Sequence, residues 1–139
     1  MFVLDTNVLS AMMAPPHFPE VDRWVAQHSR RVLYTTAINQ AEVLSGLAIM
    51  VEGRRHTGML EFDARLFEKV FRDRVLVFDS LAAVAFAEVY RSRRTAGLAV
   101  KSLDLTIAAI TLAHGATIVT RDVPGFTGCG IAIINPWQP

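Results

Sequence analysis

Five short apolar runs with strand character, Phe2–Leu4, Val32–Tyr34, Val75–Phe78, Thr117–Val119 and Ile131–Ile134, recur along this chain with helical patterns between them. That alternation restricts the fold more than any other feature. Parallel strands cannot be joined by tight hairpins and need crossover connections, which helices provide. The pattern therefore predicts an α/β fold: three layers, with a mostly parallel five-stranded sheet flanked by helices.

The helical segments carry their own punctuation. Thr36 precedes Ala37–Glu52, Ser80 precedes Leu81–Arg94 and Ser102 precedes Leu103–His114, each placing a hydroxyl where free backbone N–H groups need an acceptor. Gly97 and Gly115 supply stops. Met59, Phe62, Leu66, Phe67 and Val70 fall at helical spacing within Met59–Asp73, so Phe62, Phe67 and Phe71 read as core and not as base-stacking platforms. Shorter helices are expected over Val8–Met13 and from near Pro19 to Gln27, separated by Pro15-Pro16. Val51–Gly58, with its glycines and arginines, reads as a basic loop.

At 139 residues, one domain over 1–139 is expected, with enough length to bury a core without disulfides or a structural metal. Cys129 is the sole cysteine, so no internal disulfide and no zinc-finger cluster can form, which suits a reducing cytoplasm. The amino terminus meets Asp5 at once and does not read as a signal peptide. No apolar run approaches the ~18 residues of a membrane span, and no membrane partner is expected.

Function in such a sheet gathers at the carboxyl ends of the strands. Asp5 directly follows the first strand and Asp122 closely follows the fourth, so parallel strands bring both to one edge. At ~100° per residue, Glu42 shares a helical face with Ile38 and Ile49, and no basic residue lies three or four positions away. Asp104 stands in the first turn of its helix, one turn before Ile107 and Ala108. Taken singly, Asp5 can cap a helix, Asp104 can serve the helix dipole and Asp122 can shape a turn. Converging without a Lys or Arg partner, four carboxylates would repel one another, and a divalent cation resolves that conflict. All-oxygen ligands favour Mg2+ or Mn2+ over zinc.

An ordered set of motifs, Val3-Leu-Asp-Thr-Asn-Val-Leu-Ser10, Ala41-Glu-Val43, Gly53-Arg-Arg55, Phe78-Asp79, Asp104-Leu-Thr-Ile-Ala-Ala109, Ala113-His-Gly-Ala116, Val119-Thr-Arg121 and Asn135-Pro-Trp137, resembles PIN-domain ribonucleases nearly end to end. More narrowly it is similar to VapC/FitB-like toxins of bacterial toxin-antitoxin pairs. The resemblance implies a metal-dependent endoribonuclease with Asp5, Glu42 and Asp104 on the family's three central carboxylates and Asp122 as the fourth acid. It also implies a cognate antitoxin protein over the active site and a homodimer. Where relatives often read Arg-Asn, two residues, then Asp-Phe, this chain reads Arg121-Asp-Val-Pro-Gly-Phe126. Gly125 replaces the later acid, which leaves the fourth acidic role to Asp122 and the number of metal ions open.

Thr6, Asn7 and Thr120 adjoin these acids and are candidates to orient them. Net charge is +1, and setting the four acids aside leaves the remainder distinctly basic, as an RNA track requires. Arg30-Arg31, Arg54-Arg55-His56, Arg91-Ser-Arg93-Arg94, Lys101 and Arg121 are the candidate phosphate contacts, against solvated surface as the ordinary alternative. Trp137 is expected to anchor the tail by burial. Leu81–Tyr90 suits either an interface or the core.

Other classes fit less well. A phosphatase with an aspartate nucleophile would want a second acid two residues on, where Asn7 stands. Dinucleotide binding needs a glycine-rich strand-to-helix turn, and Gly125, Gly128 and Gly130 instead lead into the last strand. A non-catalytic RNA- or protein-binding module on the same fold remains the alternative.

Overall fold

A computed structural model describes residues 1–13 and 15–138. Strands β1 (Phe2–Leu4), β2 (Leu33–Thr36), β3 (Val75–Leu76), β4 (Thr117–Val119) and β5 (Ala132–Ile134) form one sheet in the order β3-β2-β1-β4-β5. Every pairing is parallel; Val3 stands opposite both Tyr34 and Ile118. The helices are α1 (Thr6–Met13), α2 (Pro19–Ala26), α3 (Ala37–Ala48), α4 (Arg54–Arg65), α5 (Ser80–Thr95), α6 (Ser102–Ala113) and the short α7 (Val123–Phe126).

Alternation along the strands splits the core into two layers. Leu4 and Val119 point into a cluster with Val8, Leu9, Trp24, Leu47 and Phe71. Val3 and Ile118 point the other way, onto Val89, Leu105, Ala108 and Phe126. Both faces are thus covered, as all-parallel sheets require. The chain runs outward through β2 and β3 and returns to the far side of β1, so strand order reverses between β1 and β4. The crevice for a ligand is expected beyond the carboxyl ends of those strands.

Several boundaries depart from the sequence reading. Val32 closes a 3-10 turn capped by Ser29, and the β-branched pair Thr35-Thr36 carries β2 further. The edge strand β3 pairs over only two residues, leaving Val77 and Phe78 beyond it. Asp79, not Ser80, caps α5 by accepting a hydrogen bond from the Ala82 N–H at 2.9 Å. Ser102 lies inside α6, which has no side-chain cap. The expected basic loop Val51–Gly58 is helical from Arg54, and the single helix Met59–Asp73 is instead α4 followed by a π-helical turn, Leu66–Val70. Helix α3 stops at Ala48, so Ile49 is 87% exposed and belongs to no buried stripe. Phe71 is fully buried, Phe67 nearly so, and Phe62 packs against the same cluster, as expected of core residues.

Candidate active site

Asp5 leaves β1 just where its backbone N–H bonds the Val119 carbonyl at 3.0 Å, which stitches it to the end of β4. Its side chain is 6% exposed and accepts hydrogen bonds from four donors. The Thr6 N–H (2.8 Å) and Asn39 Nδ2 (3.0 Å) reach Oδ1. Asn7 Nδ2 (2.9 Å) and Thr120 Oγ1 (2.6 Å) reach Oδ2. Burial nevertheless holds the carboxyl above its ordinary range; the bonds from Thr120, Thr6 and Asn39 act against this shift, and the nearby charge of Glu42 adds to it.

Thr6 Oγ1 also donates to Glu42 Oε2 and accepts from Asn39 Nδ2 at 3.0 Å. A mid-helix Glu with no basic neighbour therefore takes a hydroxyl partner. Glu42 is half-buried, and the environment that sets its role is α1 and not its own helical stripe. Thr120 plays the same linking part on the other side: its oxygen accepts from the Asp122 N–H at 3.0 Å while its hydroxyl bonds Asp5. Asp122 is exposed and caps α7 through the Gly125 N–H at 3.2 Å.

Asp104, in the first turn of α6, is half-buried. Its carboxyl is held above the ordinary range by burial, then by the charges of Asp122 and Asp5, against weaker opposition from Lys101 and Arg93. Glu42 thus acts on Asp5, and Asp5 and Asp122 act on Asp104, which couples the four acids in pairs near the carboxyl ends of β1 and β4.

Among the described residues no three His, Cys, Asp or Glu side chains form a ready-made metal cage. The donors still suit a hard cation in kind. Mg2+ keeps several waters and takes only one or two carboxylates directly, and these acids are oxygen ligands under mutual repulsion.

A PIN domain model matches residues 2–123. The chain belongs to the PIN domain family. It is 38% identical over 142 residues to "VapC ribonuclease Y4jK" of Sinorhizobium fredii, covering 100% of this chain and 99% of that protein. It is 31% identical over 138 residues to "Toxin FitB" of Neisseria gonorrhoeae, covering 99% of each. The crystal structure of FitAcB from the same organism superposes with a TM-score of 0.89 at 30% identity, covering 100% of both chains.

One residue of this candidate site escaped the sequence reading. Asn39, fully buried, ties Asp5 to Thr6 and is itself fixed by Thr36 Oγ1, which donates to its Oδ1 at 2.6 Å. Its available signal was position: three residues before Glu42 on the same face of α3, behind the Thr36 cap.

Arg93 corrects an expectation outright. It is 4% exposed and cannot be a surface phosphate contact; its guanidinium donates to the carbonyls of Ala99 (3.0 and 2.5 Å), Pro124 (2.8 Å) and Thr127 (2.7 Å). It joins the approach to α6, which carries Asp104, to α7, which Asp122 caps. Arg54, Arg55, Arg91, Arg94, Lys101 and Arg121 are exposed, while His56 bonds the Leu47 carbonyl at 2.9 Å.

Gly125 is buried, and a Cβ there would lie 2.5 Å from Asp122 Oδ2. A side chain at this position, such as the later acid of the usual motif, would displace the Asp122 carboxylate, which now fills that space.

Proposed function

We propose that this chain is a metal-dependent endoribonuclease, the toxin of a toxin-antitoxin pair, with Asp5, Glu42, Asp104 and Asp122 holding Mg2+ or Mn2+. The reading rests above all on the pairwise coupling of these acids near the carboxyl ends of β1 and β4, where strand order reverses, with burial and neighbouring charge raising the carboxyls of Asp5 and Asp104. When bound, the ion supplies Lewis-acid polarisation of a phosphate oxygen and a more acidic water.

The protein's own part is positioning. Four donors hold Asp5 in one orientation, Thr6 couples Glu42 to it, and Thr120 couples Asp122. Arg55 and Arg121, exposed on a groove that begins at Asn7, attract the phosphodiester strand that the acids alone would repel, with Arg54 and Lys101 further candidates.

The VapC ribonuclease and FitB toxin relatives support this assignment, and with it a cognate antitoxin. Phe78, Leu81 and Val84 expose an apolar strip at the start of α5, which supports a homodimer. A cytoplasmic site of action fits the lone buried cysteine, and no helix among the described residues is long and apolar enough to cross a membrane.

The test is cleavage of a mixed RNA pool by protein freed of any partner, with Mg2+, Mn2+ or chelator. Metal-dependent cutting is expected for the wild type, and its near-complete loss in Asp5→Asn, Glu42→Gln and Asp104→Asn with folding retained. Wild-type turnover in any two of these variants refutes the site. A folded protein that binds RNA and never cuts it returns the non-catalytic alternative.

A further inference from the structure

A groove of about 410 Å3 begins at Asn7, and the catalytic reading uses only its two arginines, Arg55 and Arg121. One end is built on Asn7, the residue that donates to Asp5 Oδ2, so the groove opens directly from the acidic centre. Arg121 crosses it: its backbone N–H bonds Asn7 Oδ1 at 3.0 Å, and its guanidinium lies 5.5 Å from the centroid of Trp137. Phe18 meets the same indole edge-on, with centroids 5.7 Å apart. Trp137 N–H bonds Asn135 Oδ1 within the tail at 3.0 Å, and the half-buried indole packs against the cluster that holds Leu4 and Val119. Arg55 of α4 lines the same groove.

Two cations and an indole braced edge-on by Phe18, one residue away from a carboxylate centre, match one chemical unit: a nucleotide whose base is free to leave its stack. We propose that this groove holds an unpaired nucleotide of the RNA strand next to the scissile phosphate, its base on the Arg121–Trp137–Phe18 platform and its phosphate between Arg55 and Arg121. Unstacked bases bind aromatic rings and guanidinium planes in this way, and duplex RNA cannot present them. The inference rests on the ribonuclease reading and adds the place where one base is held and selected, the groove of Trp137, Arg121 and Arg55.

Trp137 also supplies a discriminating variant. Its Nε1 is buried without an acceptor, so Trp137→Phe removes no hydrogen bond and keeps a stacking face. Binding of a labelled single-stranded oligoribonucleotide of mixed sequence, followed by anisotropy in EDTA so that no strand is cut, reads the groove directly. Trp137→Ala should weaken binding roughly 5- to 100-fold, and Trp137→Phe by less than about 3-fold. Arg55→Ala should flatten the dependence of log affinity on log salt by about 0.7. In cleavage by Trp137→Ala, KM should rise with kcat nearly unchanged, and the affinity of that variant for a duplex of equal length should not respond.

If Trp137→Ala lowers the melting temperature too far to be used, Arg55→Ala and Trp137→Phe decide alone. Wild-type affinity and salt dependence in Trp137→Ala and Arg55→Ala, in a protein that still cuts RNA, overturn the subsite while leaving the nuclease standing, and would point instead to a protein segment in the groove. A wild-type protein that neither binds nor cuts single-stranded RNA overturns both.

Discussion

Replacing Arg93 by methionine keeps most of the buried aliphatic volume and removes the guanidinium, and with it four hydrogen bonds to three carbonyls. Bonds to a charged donor contribute roughly 1.5–3 kcal/mol each, while a buried guanidinium carries a desolvation cost of several kcal/mol that the substitution relieves. The difference is a net loss of about 3–5 kcal/mol, since three carbonyls lose their donor. For a chain of this length that corresponds to a fall in Tm of roughly 10–20 °C. Calorimetry and urea titration at pH 7 measure it, and a fall below about 3 °C would refute the clamp. The second half of the prediction concerns position. Ala99 precedes α6 and Pro124 and Thr127 flank α7, so the variant, assayed where it is still fully folded, should cut RNA well below the wild-type rate because Asp104 and Asp122 lose their shared anchor. Undiminished cleavage there would leave Arg93 a purely structural residue.

Asn39→Ala strips one donor from Asp5 and leaves Thr36 Oγ1 without its acceptor in a fully buried setting, at a cost of about 2–3 kcal/mol by denaturant titration and with reduced cleavage. Gly125→Ala places a methyl where the Asp122 carboxylate now sits, so the side chain must swing away; stability should fall by about 0.5–2 kcal/mol for the lost cap while cleavage falls at least tenfold, and unaltered turnover would exclude a role for Asp122. Asp63 is 8% exposed with Oδ1 unpartnered, and burial raises its pKa above 3.8. The folded state then binds the proton more tightly than the unfolded one, so stability falls as pH rises from 3.8 through the folded value. Asp63→Asn should accordingly melt higher than wild type at pH 7, with the advantage fading towards pH 3.8; a lower Tm at neutral pH contradicts this. Saturating Mg2+ or Mn2+ should raise the Tm of the wild type by mass action, and less so in Asp5→Asn; equal melting in chelator and in metal would argue against a native cation site.

What the linear chain determined is whatever depends on near neighbours. The five strands, the Thr36 cap and the placement of Asp5 and Asp122 after their strands were legible because alternation, capping and strand ends are local properties. The parallel sheet followed, since helices between strands permit little else. Even the anomaly of Glu42 was visible, as a carboxylate with no basic partner within reach on its own helix.

Tertiary structure decided the partners. Ile49 looked buried beside Glu42 until α3 ended at Ala48, and Glu42 found its hydroxyl on α1. Asp79 followed a strand as Asp5 does, yet the edge strand stopped short and Asp79 was consumed as a cap. Arg93 sat in a basic run indistinguishable from its exposed neighbours Arg91 and Arg94, and only the meeting of the approach to α6 with α7 gave it three carbonyls. A charge is solvated or buried according to what the rest of the chain brings to it, and those groups lie up to 34 positions away in sequence. Local sequence therefore marks where a functional group can stand, while packing between distant segments determines which of those groups remain free to act.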